Sequence, residues 1–214
     1  MKRILCFGDS NTWGYNPVNG SRYDDNTRWT ALLQKKLGAD YQIIEEGQNG
    51  RTIACDDPWE GGTKNGMKYL LPMLESHDPL DVMIIMLGSN DLKLKFGLPA
   101  GDIAGSLCSM IEKAQSHFHY SGQKTKIMIL SPIYIGEGIK DGYFGNFFDG
   151  DQAVKRSKEL AHWYKLVADR YHCSFLDMAE VASPGTVDCL HLMPEGHAAI
   201  AEALGRCFKV QGEK

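Results

Sequence analysis

Gly8-Asp9-Ser10-Asn11 near one end of the chain and Asp188-Cys189-Leu190-His191 near the other are the residues best suited, by type and spacing, to carry chemistry. The first group follows a short apolar run, Arg3 to Phe7. A serine just after a buried strand sits where a sheet edge opens to solvent, and glycine before it lets the backbone turn sharply enough to present the hydroxyl. An aspartate three residues ahead of a histidine can hold the imidazole in one tautomer, leaving the other ring nitrogen to face a hydroxyl. Together the two groups read as a nucleophile, its base and the acid that orients the base. Each also has a plainer reading. Gly-Asp-Ser is an ordinary turn, Asp9 an ordinary Asx-turn former, and Asp188 could brace its loop or cap the final helix.

The elements that must position these residues are visible as continuous apolar runs at Arg3 to Phe7, Tyr41 to Glu45, Asp81 to Leu87, Lys126 to Leu130 and Cys173 to Leu176. Unbroken rather than alternating hydrophobicity is the mark of strands buried on both faces. Between them lie helical patterns: Ile103, Leu107, Met110, Ile111, Ala114 and Phe118 share one face, as do Leu160, Tyr164, Val167 and Tyr171, and later Ile200, Ala201, Leu204 and Phe208. The repeat predicts an α/β fold of one domain over residues 1–214, a doubly wound, flavodoxin-like parallel sheet of five strands flanked by helices. Two connections, Glu46 to Gly66 and Ser131 to Asp151, are unusually long and both follow strands, so they are expected to wall a pocket at the ligand-binding edge of the sheet. The second holds Tyr134, Tyr143, Phe144, Phe147 and Phe148, which suits an aromatic flap or a subunit contact.

Two further polar turns follow strands. Gly88-Ser89-Asn90-Asp91 places an amide donor where it could bond an oxyanion forming on a substrate carbonyl, although Asn90 also suits a plain turn. Gly47-Gln48-Asn49-Gly50-Arg51-Thr52 offers glycine backbone able to approach a ligand and donate an N–H group. Asp91 is expected to hold its loop rather than react, and Arg51 to close a salt bridge under the site. His197 is the competing base, but Pro194 places it inside the last helix, where packing or solvent exposure is the better reading.

Gly8-Asp9-Ser10, Gly50, Gly88-x-Asn90-Asp91 and Asp188-x-x-His191 occur in the order of the four sequence blocks of the SGNH (GDSL) hydrolase superfamily, which the chain resembles over almost its full length. The resemblance implies that Ser10 is the nucleophile, that His191 is the base oriented by Asp188, and that the N–H groups of Ser10 and Gly50 with the Asn90 amide form an oxyanion hole. One departure is Asn11, where the eponymous motif has leucine. Gly8 to Gly14, Arg28-Trp29-Thr30, Glu45-Glu46-Gly47, Arg51-Thr52 and Ile84 to Asp91 are similar to the arylesterase and acyltransferase (perhydrolase-type) branch, which implies a homo-oligomer. The expected activity is a serine esterase or acyltransferase acting on short, acetyl-type esters, with a carbohydrate O-acetylesterase as the alternative. Candidates for the pocket wall are Asn11, Trp13, Tyr15, Trp59, Phe144, Phe148 and Leu190, although large aromatics also fill cores.

The composition narrows the partners to a small-molecule ester. A net charge of -4 and a pI near 6.0 leave no case for nucleic acid or an anionic membrane surface. The apolar run after Lys2-Arg3 is too short for a signal peptide and no segment approaches a membrane span, so a soluble, cytoplasmic protein is expected. Six cysteines without Cys-x-x-Cys spacing read as reduced thiols, several in the core, and no metal or other cofactor is implied. A non-catalytic, flavodoxin-like module that cradles a phosphate is the alternative of a different class. It would need a Gly-x-x-x-x-Gly-Lys or Gly-x-Gly-x-x-Gly loop, and neither follows the first strand.

Overall fold

The computed structural model describes residues 1–212. Its five strands, β1 (Lys2–Gly8), β2 (Tyr41–Gly47), β3 (Val82–Met86), β4 (Lys126–Ser131) and β5 (Ser174–Asp177), form one parallel sheet in the order β2-β1-β3-β4-β5. All five lie on the runs expected from the sequence. β3 is trimmed at both ends, and β5 is displaced by one residue toward Asp177, whose side chain caps the following turn by accepting the Ala179 N–H at 3.0 Å.

Successive strand residues point to opposite faces, and the two faces bury different helices. Leu5, Phe7, Met83, Ile85, Ile127 and Ile129 pack beneath α3 (Gly66–His77), α4 (Ala100–Tyr120) and α5 (Gly150–Arg170). Ile4, Cys6, Ile84, Met86, Met128 and Leu130 pack beneath α2 (Trp29–Leu37) and α6 (Pro194–Gly212). The predicted apolar stripe of α4 is buried throughout, and Ile200, Ala201, Leu204 and Phe208 of α6 are likewise buried. Among the described residues, no helix is long and apolar enough to cross a membrane.

β1 pairs with both β2 and β3, so the chain winds one way from β1 to β2 and the other way from β3 to β5. A crevice opens beyond the strand ends at such a reversal, which is where open α/β sheets bind ligands. The one-turn helix α1 (Ser10–Trp13) closes directly on the end of β1. This close approach explains Gly8, because a Cβ there would stand 2.1 Å from Thr12 Oγ1 and 2.9 Å from the Met86 carbonyl oxygen.

Candidate active site

Ser10 is the first residue of α1, so its N–H has no acceptor within the helix. Asp9 caps that helix, accepting the Asn11 N–H at 3.0 Å, and Gly14 ends it in the left-handed region at φ 88°. The Asx turn expected for Asp9 is therefore present. Burial raises the Asp9 carboxyl to about 6, against the Asn11 N–H and the charges of His191 and Arg51.

His191 reaches the same point from a loop ahead of α6. Its Nε2 lies 2.9 Å from Ser10 Oγ, and its Nδ1 lies 2.5 Å from Asp188 Oδ2. The other Asp188 oxygen accepts the backbone N–H groups of Leu190 at 3.0 Å and His191 at 2.9 Å. Asp188 thus braces its loop and orients the imidazole with one carboxylate, while α6 begins later, at Pro194. Burial would raise its pKa, but the hydrogen bond and charge of His191 and the two backbone donors hold it below the usual carboxylate value.

The two long-range halves are sewn together by Asn11. Its Nδ2 donates to the Leu190 carbonyl at 3.3 Å and its Oδ1 accepts the Leu192 N–H at 2.9 Å. This corrects the expectation that Asn11 lines the pocket: its amide is spent on the His191 loop, which is what an asparagine offers here and a leucine cannot.

Gly50 and Asn90 face Ser10 across a cavity of about 370 Å³. Gly50 holds φ 77°, a conformation suited to glycine, and a Cβ there would meet Glu60 Oε2 at 2.1 Å. Asn90 Nδ2 donates to the Arg51 carbonyl at 3.1 Å, and Asp91 accepts the Ile53 N–H at 3.0 and 3.1 Å on its two oxygens. The loops after β2 and β3 are therefore joined beneath the cavity, with Asp91 holding the neighbouring loop where its own was expected. Burial, with the nearby Asp9 charge, pushes the Asp91 carboxyl up to about 7 against the Ile53 N–H. Arg51 departs from the expected salt bridge. Its Nη1 donates to the carbonyls of Gly8, at 2.9 Å, and Glu46, and its guanidinium lies 4.3 Å from the centre of the Phe7 ring. A carbonyl oxygen has two lone pairs, so Gly8, which already accepts the Gln48 N–H at 3.1 Å, can take the Arg51 donor as well, and one cation ties the ends of β1 and β2 together.

Tyr15, Trp59, Phe144, Phe148 and Leu190 line the cavity, joined by Tyr143 and Phe147 of the second long connection. That connection is pinned by the Lys93–Phe148 bridge and by the Leu94 N–H to the Phe147 carbonyl at 2.9 Å. Trp13 does not reach the cavity. It lies at the end of α1, with its backbone against Gly47 and the Arg22 guanidinium 5.6 Å from its ring centre. Asn49, Glu60 and Lys93 also line the cavity and were not anticipated. Lys93 is buried and bonds Glu60, while Lys95 pairs with the fully buried Asp57. Isolated charges in a polar stretch look solvated, and only the fold brings these two pairs together.

His197 is buried on α6, its Nδ1 accepting the Trp29 N–H at 3.3 Å, so it packs and does not compete for Ser10. Burial lowers its pKa from 6.5 to about 4. The unfolded chain therefore binds the extra proton between these values and the folded chain does not, so this contribution is complete above pH 6.5 and shrinks on acidification. Replacement by asparagine keeps an acceptor and removes the titration. The stability difference between wild type and His197→Asn should fall by about 3 kcal/mol between pH 7 and pH 4. Denaturant midpoints across that range test it, and a constant difference contradicts it.

The GDSL-like lipase/acylhydrolase family matches residues 6–199. The chain belongs to this family. Among solved structures, Est24, a carbohydrate acetylesterase from Sinorhizobium meliloti, is 33% identical with a TM-score of 0.91, over 99% of this chain and 100% of that one. The inhibitor-bound aryl esterase of M. smegmatis is 32% identical, also with a TM-score of 0.91, over 98% of this chain and 99% of the other. A lipolytic G-D-S-L family member from Veillonella parvula, 17% identical with a TM-score of 0.70 over 98% of this chain and 99% of its own, shares the fold. No curated protein matches. Among the described residues, no group of three or more His, Cys, Asp or Glu side chains could hold a metal ion.

Proposed function

We propose that this GDSL-family protein is a carboxylic ester hydrolase that cleaves short, acetyl-type esters through an acyl-enzyme on Ser10. The observation that carries the reading is the Asp188–His191–Ser10 chain of contacts, 2.5 and 2.9 Å, at the edge of an aromatic cavity that Gly50 and Asn90 also line. As Ser10 Oγ attacks the carbonyl carbon, its proton passes to His191 Nε2. The carbonyl oxygen takes the negative charge and meets the N–H groups of Ser10 and Gly50 and the Asn90 amide. Collapse breaks the bond to the alcohol, which leaves with the proton from His191, and the acyl group stays as an ester of Ser10. Water then gives a proton to His191 and attacks, the carboxylic acid departs, and Oγ regains its proton. An alcohol in place of water makes the same cycle an acyl transfer. Exposed Trp59, Tyr143 and Phe147 around the mouth favour association with a second copy of the chain.

A carbohydrate O-acetylesterase is the second reading, favoured by the polar part of the wall. Glu60 and Lys93 offer an acceptor and a donor suited to sugar hydroxyls, and Trp59, 81% exposed, offers a ring face beside them. Two measurements separate the possibilities. A fluorophosphonate probe should label wild type at Ser10 and fail on Ser10→Ala; absence of labelling contradicts the acyl-enzyme. Initial rates on a short aryl acetate and an acetylated oligosaccharide then choose the alcohol: far faster acetate release from the sugar selects the second reading.

A further inference from the structure

Imidazole nitrogens donate and accept in the plane of the ring, and two hydrogen bonds hold the His191 ring at its nitrogens. They leave it free to rock about the line joining Asp188 and Ser10, and only contacts on the ring's faces and edges can resist that motion. Two aromatic side chains supply such contacts. The Tyr15 ring lies 4.3 Å from the imidazole, centre to centre, with the planes inclined by 37°, and the Phe144 ring lies 5.6 Å away at 62°. They come from separate parts of the chain, Tyr15 just after α1 and Phe144 from the second long connection.

We propose that Tyr15 and Phe144 clamp the His191 imidazole and that the Tyr15 ring face also stabilises the imidazolium formed during catalysis. The proposal rests on His191 being the base. Each turnover puts a positive charge on this ring twice, and an aromatic face within about 6 Å of a cation attracts it through the ring quadrupole. At 4.3 Å and a shallow inclination, Tyr15 is placed for that role, whereas the steeper Phe144 contact serves position. The titratable groups facing the imidazole are Asp188 on its own loop, Asp9 beneath α1, the Tyr15 phenol and His197 on α6. Apart from the phenol itself, none of these groups is altered by a change of ring at Tyr15.

Leucine at position 15 keeps the imidazole covered and removes the quadrupole. In Tyr15→Leu the His191 titration, followed by NMR on the ring itself, should move down by about half a pH unit. The acidic limb of kcat/KM on a short aryl acetate should move with it, and kcat should fall several-fold. Tyr15→Phe should restore both the midpoint and the rate, because the face and not the hydroxyl acts. Phe144→Leu should lower kcat without moving the midpoint. Tyr15→Met serves as a second apolar replacement if the leucine variant misfolds. An unmoved midpoint in Tyr15→Leu and Tyr15→Met, or an equal shift in Tyr15→Phe, overturns the proposal. The NMR titration is independent of turnover, so a failure of the esterase reading would show separately, as full activity in Ser10→Ala.

Discussion

Ser10→Ala and His191→Ala are each expected to lower kcat toward a short aryl acetate by at least about a thousandfold, with the double variant scarcely worse than the poorer single one. The two side chains share one proton at a separation of 2.9 Å, and neither has a substitute within reach. His197, the other histidine near the end of the chain, is committed to the Trp29 N–H. Removing the hydroxyl leaves no nucleophile; removing the imidazole leaves a hydroxyl too weakly acidic to attack. Once either is gone the other has nothing to act on, so their losses do not add. Residual activity in each variant should reflect the remaining donors of the cavity. Steady-state rates on the three proteins test this, and a Ser10→Ala rate within tenfold of wild type removes Ser10 from the chemistry.

Asn90→Ala should lower kcat about a hundred- to a thousandfold, roughly 3–4 kcal/mol, while KM changes little. The Asn90 amide has two hydrogens; one is engaged by the Arg51 carbonyl at 3.1 Å, which fixes the direction of the other. A donor held in this way costs no reorganisation when charge develops on the substrate oxygen, and the full charge exists only in the transition state. Aspartate tests the same point by sign: Asn90→Asp puts an acceptor and a negative charge where a donor is needed, and its rate should fall below that of Asn90→Ala. A rise in KM with kcat retained would instead make Asn90 a substrate-binding residue.

The sheet and the meeting of Ser10 with His191 were legible because they depend on patterns that the chain displays locally. Five apolar runs marked the strands, although only β1, β3 and β4 are buried along most of their length while the edge strands β2 and β5 are half-buried, and a polar turn after such a strand emerges at one edge. Three kinds of residue were not legible. Asn11 stands in a motif and looks like part of a binding surface, yet its use is set by backbone groups of Leu190 and Leu192, at the other end of the sequence. Arg51 looks like half of an ion pair because carboxylates are the usual partners of arginine, but the strand ends offered carbonyls first. Glu60 and Lys93 carry no periodic signal, and their pairing at the cavity follows from how two loops fold over one another. Trp13 was misplaced because partners outside its motif set its position: its backbone lies against Gly47 and the Arg22 guanidinium sits over its ring.

The Asn11 tie has a consequence for how the protein comes to life during synthesis. Ser10 leaves the ribosome 181 residues before His191, and the carbonyl that fastens Asn11 arrives only with Leu190. With Ser10 and His191 as the proposed reacting pair, a nascent chain that stops short of His191 is expected to cut no ester, however well its early strands have paired. Ester turnover in a translating or refolding sample should then count chains extended past His191, and its lag should report the closure of a loop of 181 residues.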